Sequence, residues 1–447
     1  MNLSKLLLYG CGQLGMMALA RFFFFWILRF ADKGGAAPGA EVDPASAVLF
    51  SASAVGVVFF AFRIFDGVTD PLAGMFSDAW VRRGRQRRNL LWFSFFLPPL
   101  GMALTFLPNA SMDPSVRWAV LGAGMLVFFV GYTLYAIPYW SLIDDYAGED
   151  EDARRGMSNM LGAGVLLATA VGFVVSPMLV DRWGFFGAAV AFAIPAALLM
   201  VVPYFASPGG GASKPPPPKS GAASPFADFW KALQHRRFLA VLVIFSGSQM
   251  SFTVMTAAAP FIVEHLLGGS DGDVPMLLGP FLGTAIPFFV AVPWISRRLG
   301  WQKGVVVASL ALGGVYAATG VLGEGLLGSP WITAGAVFAL GGPTAAVLLG
   351  LEAEAITACA RERGGDVVSL YFGVYNMVVK GLNGLAMVLT GALIGLSKTE
   401  MGSDAIRGMG PMAGGLLALG VVGYFALRPR GPLSPPAAAE DAGAKPA

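Results

Sequence analysis

The segment FRIFDGVTDPLAG, residues 62–74, places two aspartates inside a long apolar run that extends over 47–76. This run is long enough to cross a bilayer as a helix, because about 20 residues span the hydrocarbon core. Asp66 and Asp70 are four residues apart, so both lie on one face of that helix. Charged side chains inside a membrane are costly, and they usually face a partner or a wet cavity and serve a function. The segment therefore predicts a membrane helix that carries an acidic functional site.

The composition of the whole chain is typical of a membrane protein. Hydrophobic residues make up 56% of the chain, charged residues make up 13%, and the mean hydropathy is +0.67. A soluble protein of this length carries more charge on its surface. Cys11 and Cys359 lie far apart and indicate neither a disulfide framework nor a metal cluster. No nucleophile–base set is recognisable, so we expect no enzyme activity, no cofactor and no nucleic-acid partner.

Apolar runs alternate with polar breaks along the chain and predict an all-α membrane protein of about twelve helices. The predicted spans lie near 5–31, 47–76, 90–108, 116–143, 157–180, 185–206, 237–265, 275–297, 303–323, 329–355, 367–396 and 408–427. This layout predicts a six-helix bundle at 1–206, a cytoplasmic linker at 207–236, a second bundle at 237–427 and a disordered cytoplasmic tail at 428–447. Lys and Arg concentrate in the connections that are cytoplasmic when both termini are inside. Repeated halves with a substrate site between them are a common transporter design.

Asp66 and Asp70 have the chemistry of a cation site. Two carboxylates this close repel each other, and a bound cation or proton relieves the repulsion. Hard cations such as Na⁺ prefer oxygen ligands, and Thr69 adds a hydroxyl or carbonyl oxygen. The alternative is that the two acids only pair with Arg63 or Lys380 for structural reasons.

Two further cations lie inside predicted spans. Lys380, near the middle of the eleventh span, needs an acidic partner, for which the Asp66–Asp70 pair competes with Glu352 and Glu354. Arg21 follows an apolar stretch of the first span and precedes four phenylalanines. It either binds an anionic group of the substrate, pairs with an acid, or extends toward the outer interface.

The second span ends in a basic loop. The sequence DAWVRRGRQRR, residues 78–88, begins with Asp78 and contains Arg85 among five arginines. We expect Asp78 and Arg85 to belong to a cytoplasmic gate between the two halves, with Asp78 paired to basic residues or helix ends of a neighbouring span.

Five segments together resemble one transporter family. They are YGCGQLG (9–15), RIFDGVTDPLAG (63–74), SDAWVRRGRQRR (77–88), YTLYAIPYWSL (132–142) and VVKGLNG (378–384). Their order and spread resemble the glycoside-pentoside-hexuronide:cation symporters, the melibiose-carrier branch of the major facilitator superfamily. The resemblance implies the two-bundle fold, alternating access and a cation site that includes Asp66, Asp70, Thr69 and Thr133. It also implies coupling roles for Lys380 and for Glu354 in the tenth helix.

The resemblance also points to residues of the substrate cavity, and some of them depart from the family pattern. Met17 and Ala136 stand where melibiose carriers place acids that bind the sugar, and Met160 stands near their helix 5 arginine. Tyr135, Tyr139 and Trp140 either stack on a sugar ring, line an apolar cavity or serve only as packing. Sugar hydroxyls need several fixed polar partners, so these departures favour a solute with an apolar part, as in the related sodium-dependent lysophospholipid symporters.

The sequence therefore predicts a secondary transporter that couples a small organic solute to Na⁺ or H⁺. Family resemblance favours a sugar or glycoside, and the alternatives are a carrier of a lysolipid-like amphipath and a proton-coupled exporter. We expect a monomer with a monovalent cation and the lipid bilayer as its other partners. Its expected location is the cytoplasmic membrane of a bacterium, as a multi-pass protein.

Overall fold

The structure is a computed structural model that describes residues 3–36, 47–148, 150–206, 225–323, 327–363 and 368–429. Within these ranges the secondary structure is helical and contains no strand. The prediction of an all-α membrane protein is therefore confirmed. Most of the predicted linker, residues 207–224, and nearly all of the predicted tail, residues 430–447, lie outside the described residues.

Fifteen α-helices are assigned in the described ranges. They are α1 (Leu3–Lys33), α2 (Ala52–Arg82), α3 (Arg88–Ser94), α4 (Leu97–Thr105), α5 (Pro114–Ala147), α6 (Glu151–Val201), α7 (Pro225–Leu233), α8 (Arg236–Leu267), α9 (Val274–Phe289), α10 (Val292–Leu299), α11 (Trp301–Ala318), α12 (Pro330–Arg361), α13 (Val368–Leu396), α14 (Ser403–Arg407) and α15 (Met409–Leu427). Short 3₁₀ turns cover Val202–Ala206, Asp271–Asp273 and Thr319–Val321. Helix α7 lies inside the segment that the sequence analysis assigns to the linker.

Ten of the described helical segments are long and apolar enough to cross a membrane. One of them, Glu151–Ala206, contains the fifth and sixth predicted spans. These two meet at Gly184, whose φ of 68° interrupts the helix where the sequence predicts a break. A φ of this sign is accessible to glycine at little cost, because glycine has no Cβ. The total of twelve crossings and the cytoplasmic termini stay predictions.

The third predicted span, 90–108, is divided into α3 and α4. Pro98 and Pro99 occupy the first turn of α4. A proline has no N–H and its ring clashes with the preceding turn, so it starts a helix well but does not continue one. The eighth predicted span is divided in the same way between α9 and α10, where Pro293 stands at the start of α10.

Contacts divide the chain into two compact units. Unit 1 comprises Met1–Pro218, Ala257–Gly279 and Met387–Gly402, and unit 2 comprises Lys219–Thr256, Pro280–Ala386 and Ser403–Ala447. Unit 1 therefore combines the predicted first bundle with two segments of the second, and the division into bundles at 1–206 and 237–427 stays a prediction.

In unit 1, α1 packs along α6, and α5 packs on both α2 and α4. Helices α4 and α5 approach closely at two glycines. A Cβ on Gly101 would lie 2.2 Å from the backbone nitrogen of Phe128, and one on Gly124 would lie 2.4 Å from that of Thr105. Small residues permit such close contact between membrane helices, where packing rather than water exclusion drives association. In unit 2, α11 packs against α12 and α15.

Candidate functional site

Helix α2 presents two different faces. Ile64, Val68, Leu72 and Met75 are large, apolar and exposed, and they follow one another at helical spacing. The opposite face contains Arg63, Asp66 and Ser77, which are buried. The polar residues of this membrane helix therefore point into the protein, as the four-residue spacing of the two aspartates predicts.

Asp66 and Asp70 meet a hydroxyl from a second helix. The side chain of Asp66 is completely buried. Thr133 of α5 places its Oγ1 2.9 Å from Asp66 Oδ1 and 3.3 Å from Asp70 Oδ1. A threonine hydroxyl has one hydrogen, so it donates to one of these carboxylates at a time. The structure thus brings together Asp66, Asp70 and Thr133, three residues of the predicted cation site.

Arg63 is also part of this cluster. Its Nη1 donates to Asp66 Oδ2 at 2.7 Å, one turn away on the same helix. Its guanidinium lies over the rings of Phe24 and Phe129, with 5.0 and 6.0 Å to the centroids. The pairing between Arg63 and an acid, one of the two alternatives left open by the sequence, is therefore realised for Asp66. Arg63 thus compensates the charge of the buried Asp66 carboxylate.

Thr69 does not reach the carboxylates. Its hydroxyl donates to the backbone carbonyl of Asp66 at 3.2 Å, within its own helix turn. The hydroxyl that joins the aspartates is that of Thr133, which the resemblance implied. Among the described residues, no group of three or more His, Cys, Asp or Glu side chains is arranged to hold a metal ion.

The residues predicted to couple the ion to transport lie in unit 2. Lys380 is half-buried in α13. Glu354 in α12 is exposed, and Ser296 Oγ lies 2.7 and 2.8 Å from its two carboxylate oxygens. Glu352, the rival partner for the lysine, accepts a hydrogen bond from Gln249 Nε2 at 2.7 Å. Their coupling roles stay predictions.

Tyr135 and Tyr139, which are predicted near the substrate, lie in the packed interior of unit 1. Both side chains are fully buried, and their rings stack at 5.5 Å. Tyr135 donates to the backbone carbonyl of Met200 at 2.6 Å, and Tyr139 donates to that of Tyr9 at 2.7 Å. Ala136 between them is also buried. In this conformation these residues pack helices together, which was one of the alternatives considered for the tyrosines.

Trp140 and Met17 are half-buried. The Nε1 of Trp140 donates to Oε1 of Gln13 on α1 at 3.0 Å, and the backbone N–H of Gln13 donates to the hydroxyl of Tyr139 at 3.0 Å. Sequence reasoning missed Gln13. The signal was available, since a glutamine in the apolar first span needs polar partners.

Asp78, the predicted gate residue, pairs with a different arginine from the one singled out in the sequence. Arg87 Nη2 lies 3.0 Å from Asp78 Oδ1, and Arg87 Nη1 lies 3.4 Å from Asp145 Oδ1 at the end of α5. Arg85 instead lies over the indole of Trp80, 4.4 Å from the ring centroid. The arginine that joins the loop to α5 is therefore Arg87, which is buried. A run of five arginines gives no local signal for this choice.

The sequence of the chain matches one family model, described as MFS/sugar transport protein, over residues 8–421. The chain belongs to this family. This membership confirms the resemblance to the melibiose-carrier branch of the major facilitator superfamily. It makes the chain a multi-pass integral membrane protein and a secondary transporter rather than an enzyme. No curated protein sequence matches the chain.

Solved structures of other transporters share the fold of this MFS family member. A mutant form of the peptide transporter POT is 14% identical, with a TM-score of 0.66 and coverage of 94% of both chains. A POT family transporter in complex with 5-aminolevulinic acid is 13% identical, with a TM-score of 0.66 and coverage of 95% of this chain and 96% of that chain. A bacterial homolog of the human lysosomal transporter Spinster, inward-facing and unoccupied, is 13% identical, with a TM-score of 0.64 and coverage of 95% of both. At these identities the similarity concerns the fold alone.

This transporter also has an ion-pair cluster at the end of α1, which the sequence analysis did not predict. Arg29 is buried, with 5% of its side chain exposed. Its guanidinium pairs with Glu264 of α8 and lies 2.9 Å from Oδ1 of Asp271 in the 3₁₀ turn that follows. Lys33, one turn beyond Arg29, lies 2.8 Å from Glu264 Oε1.

A second part of the ion-pair cluster involves Asp32. Its side chain is 5% exposed and pairs with Lys398, just after α13. Arg29 Nη1 lies 4.0 Å from the other oxygen of Asp32. All members belong to unit 1, and together they join the end of α1 to segments more than 200 residues away along the chain. Nothing in the local sequence of Lys33 or Lys398 identifies these partners.

Proposed function

We propose that the chain is a symporter that couples the movement of a small organic solute to a monovalent cation bound by Asp66, Asp70 and Thr133. The observation that carries this proposal is the convergence of the Thr133 hydroxyl on both carboxylates, at 2.9 and 3.3 Å. Oxygen atoms from three side chains on two helices meet on the protein-facing side of α2. Hard monovalent cations prefer such oxygen ligands.

The presence of two carboxylates in the cluster supports cation binding rather than a purely structural role. Arg63 neutralises one of the two carboxylate charges. A structural ion pair would need only Arg63 and Asp66, whereas the Thr133 hydroxyl also brings the carboxylate of Asp70 to the same place. Bringing a cation to this site relieves the mutual repulsion of the carboxylates, and so does a proton. Sodium and protons are therefore the two driving ions to compare.

The chemistry of the predicted substrate positions supports a solute with a substantial apolar part. Met17 and Ala136 offer no hydrogen-bonding side chain, and the hydroxyls of Tyr135 and Tyr139 are bound to backbone carbonyls. A sugar that gives up water contacts here loses about 1–3 kcal/mol for each unpaired group. An apolar surface gains roughly 25 cal/mol for each Å² removed from water. Simple galactosides are therefore expected to bind weakly compared with glycosides that carry an apolar aglycone.

The test is ion-dependent thermal stabilisation of the purified protein, followed by uptake into proteoliposomes. A cation that binds only the folded state raises its stability by mass action. Asp66→Asn and Asp70→Asn should each abolish stabilisation by NaCl relative to choline chloride, or the corresponding dependence on pH if the ion is a proton. Asp144→Asn is the matched control, because Asp144 lies on α5 with a side chain that is 73% exposed.

The control should keep the ion dependence of the parent protein. Both α2 variants must retain a cooperative unfolding transition, since a misfolded variant loses ion dependence for trivial reasons. Well-folded Asp66→Asn and Asp70→Asn proteins with the ion dependence of the parent would overturn the proposed site.

A further inference from the structure

Arg21 differs in its partners from Arg29 and Arg63, two other arginines of the membrane helices of unit 1. Its Nε donates to Thr169 Oγ1 on α6 at 3.0 Å. Among the described residues, no carboxylate forms an ion pair with Arg21, whereas Arg29 and Arg63 each pair with at least one. A guanidinium is always charged, and a charge inside a membrane needs a counter-charge or water. The alternative in which Arg21 pairs with an acid is therefore not realised in the part of the chain that the structure describes.

The position of Arg21 along α1 argues against the interfacial alternative. The helix begins at Leu3 and ends at Lys33. At about 1.5 Å of rise per residue, roughly 27 Å of helix precedes Arg21 and roughly 18 Å follows it. A side chain that extends along the surface reaches the interface only from near a helix end. The next residues, Phe22 and Phe23, are fully buried, so Arg21 lies deep within an apolar section of the helix.

Helix α6 provides a fitted surface for this side chain. A Cβ on Gly172 would lie 2.7 Å from the Cβ of Arg21, so only glycine permits this approach. Thr169, one turn earlier on α6, donates its own hydroxyl hydrogen to the Val165 carbonyl at 2.8 Å and accepts from Arg21 Nε. The hydrogen bond to Thr169 uses Nε of Arg21 and leaves the two Nη groups outside it.

The two Nη groups of an arginine held in this way match an oxyanion. Carboxylates, sulfonates and phosphates accept two parallel N–H bonds from a guanidinium. Arg21 is also only partly buried, so part of its side chain is accessible.

The anion site lies near the cation site. The guanidinium of Arg63, which pairs with Asp66, lies 5.0 Å from the ring centroid of Phe24, three residues after Arg21 on α1. An anion held by Arg21 is therefore repelled by the aspartates, and a cation bound there removes part of that repulsion. Such an arrangement makes the binding of anion and cation mutually favourable.

We propose that Arg21 binds the anionic group of the transported solute, which is an organic anion with an apolar body. The coupling part of this inference rests on the proposed cation site, whereas the anion site itself depends only on Arg21, Thr169 and Gly172. The solute enters with its negative group on the guanidinium of α1, and the cation on α2 and α5 compensates the nearby acids.

Matched probes test the proposal on the purified full chain. The probes are 4-phenylbutyrate, 4-phenylbutane sulfonate and 4-phenylbutyl phosphate, each compared with the neutral 4-phenylbutyramide. Stabilisation against heat reports their binding. At least one anion should bind more tightly than the amide, and Arg21→Met should remove this preference, with a loss of roughly 10- to 150-fold in its affinity.

Three variants distinguish an arginine that binds the anion from one that only stabilises the fold. Arg21→Lys keeps the charge but loses the planar pair of N–H donors, so it should retain part of the anion preference. Thr169→Val removes the hydrogen bond but keeps the guanidinium, so it should bind the anion better than Arg21→Met does. Arg117→Met removes a charge from the start of α5, where Arg117 binds the backbone carbonyls of Met112 and Ala110, and should keep the full preference.

The outcomes distinguish this inference from the proposed function. Equal binding of all three anions and the amide, or an anion preference that survives in Arg21→Met, would overturn it, even if NaCl still stabilises the protein. Equal losses in Thr169→Val and Arg21→Met would also overturn it, because they would indicate a structural contact. An anion preference that depends on Arg21 but not on Na⁺ or pH would support anion binding by Arg21 and refute the proposed coupling.

Discussion

The ion-pair cluster at the end of α1 allows a quantitative prediction, because one acid meets two bases with different burial. Glu264 pairs with Arg29, whose side chain is 5% exposed, and with Lys33, whose side chain is 26% exposed. Removing one partner of a buried pair leaves an uncompensated charge and costs about 3–5 kcal/mol. Removing a partly exposed partner costs about 1 kcal/mol or less.

Arg29→Met should therefore destabilise the protein much more than Lys33→Met. Glu264 is 30% exposed and so retains some water, which places the expected cost for Arg29 near the lower end, at roughly 3 kcal/mol. Asp271, the second acid bound by Arg29, is 15% exposed and adds to this cost. The larger loss of stability in Arg29→Met than in Lys33→Met is thus a direct consequence of the deeper burial of Arg29.

The assay is denaturant unfolding in detergent micelles, combined with double-mutant cycles that pair each substitution with Glu264→Gln. A cycle isolates the coupling between two side chains from the other effects of each substitution. The coupling of Arg29 to Glu264 should exceed that of Lys33 to Glu264 by at least about 1 kcal/mol. Equal couplings, or a loss below about 1 kcal/mol for Arg29→Met, would refute the assignment of a buried ionic cluster.

Three other substitutions test the remaining sites. Thr133→Val should lower the affinity for the stabilising cation roughly tenfold or more, because hydrogen bonds to charged groups are lost. Thr105→Val loses only a hydrogen bond within its own helix turn and should leave this affinity unchanged. Lys380→Met should abolish coupled uptake in proteoliposomes while exchange of the solute continues, if the lysine balances the acids when the cation is absent. Arg87→Met should increase the labelling of cytoplasmic-side cysteine probes, because Arg87 contacts two aspartates. Arg85→Met should leave the labelling unchanged, because Arg85 lies over Trp80, and equal labelling in both variants would contradict this.

The sequence alone was sufficient for the class of the protein and for the orientation of α2. Composition and the length of the apolar runs determine membrane helices, because a backbone in lipid must satisfy its hydrogen bonds locally. The four-residue spacing of Asp66 and Asp70 placed both on the protein-facing side of α2, as observed. The interruption of the third span near Pro98 also has a local cause, since proline does not continue a helix, although the predicted span was continuous.

Only the tertiary structure decided which side chains meet. Thr133 is 67 residues from Asp66 along the chain, and Arg29 is 235 residues from Glu264. No local pattern separates Arg87 from the other four arginines of its loop, or identifies Thr169 as the residue that holds Arg21. The physical reason is that helix formation depends on bonds between near neighbours, whereas an ion pair depends on how each helix is rotated and placed against the next. The chain therefore specifies its spans residue by residue, but it forms its sites only when the helices pack.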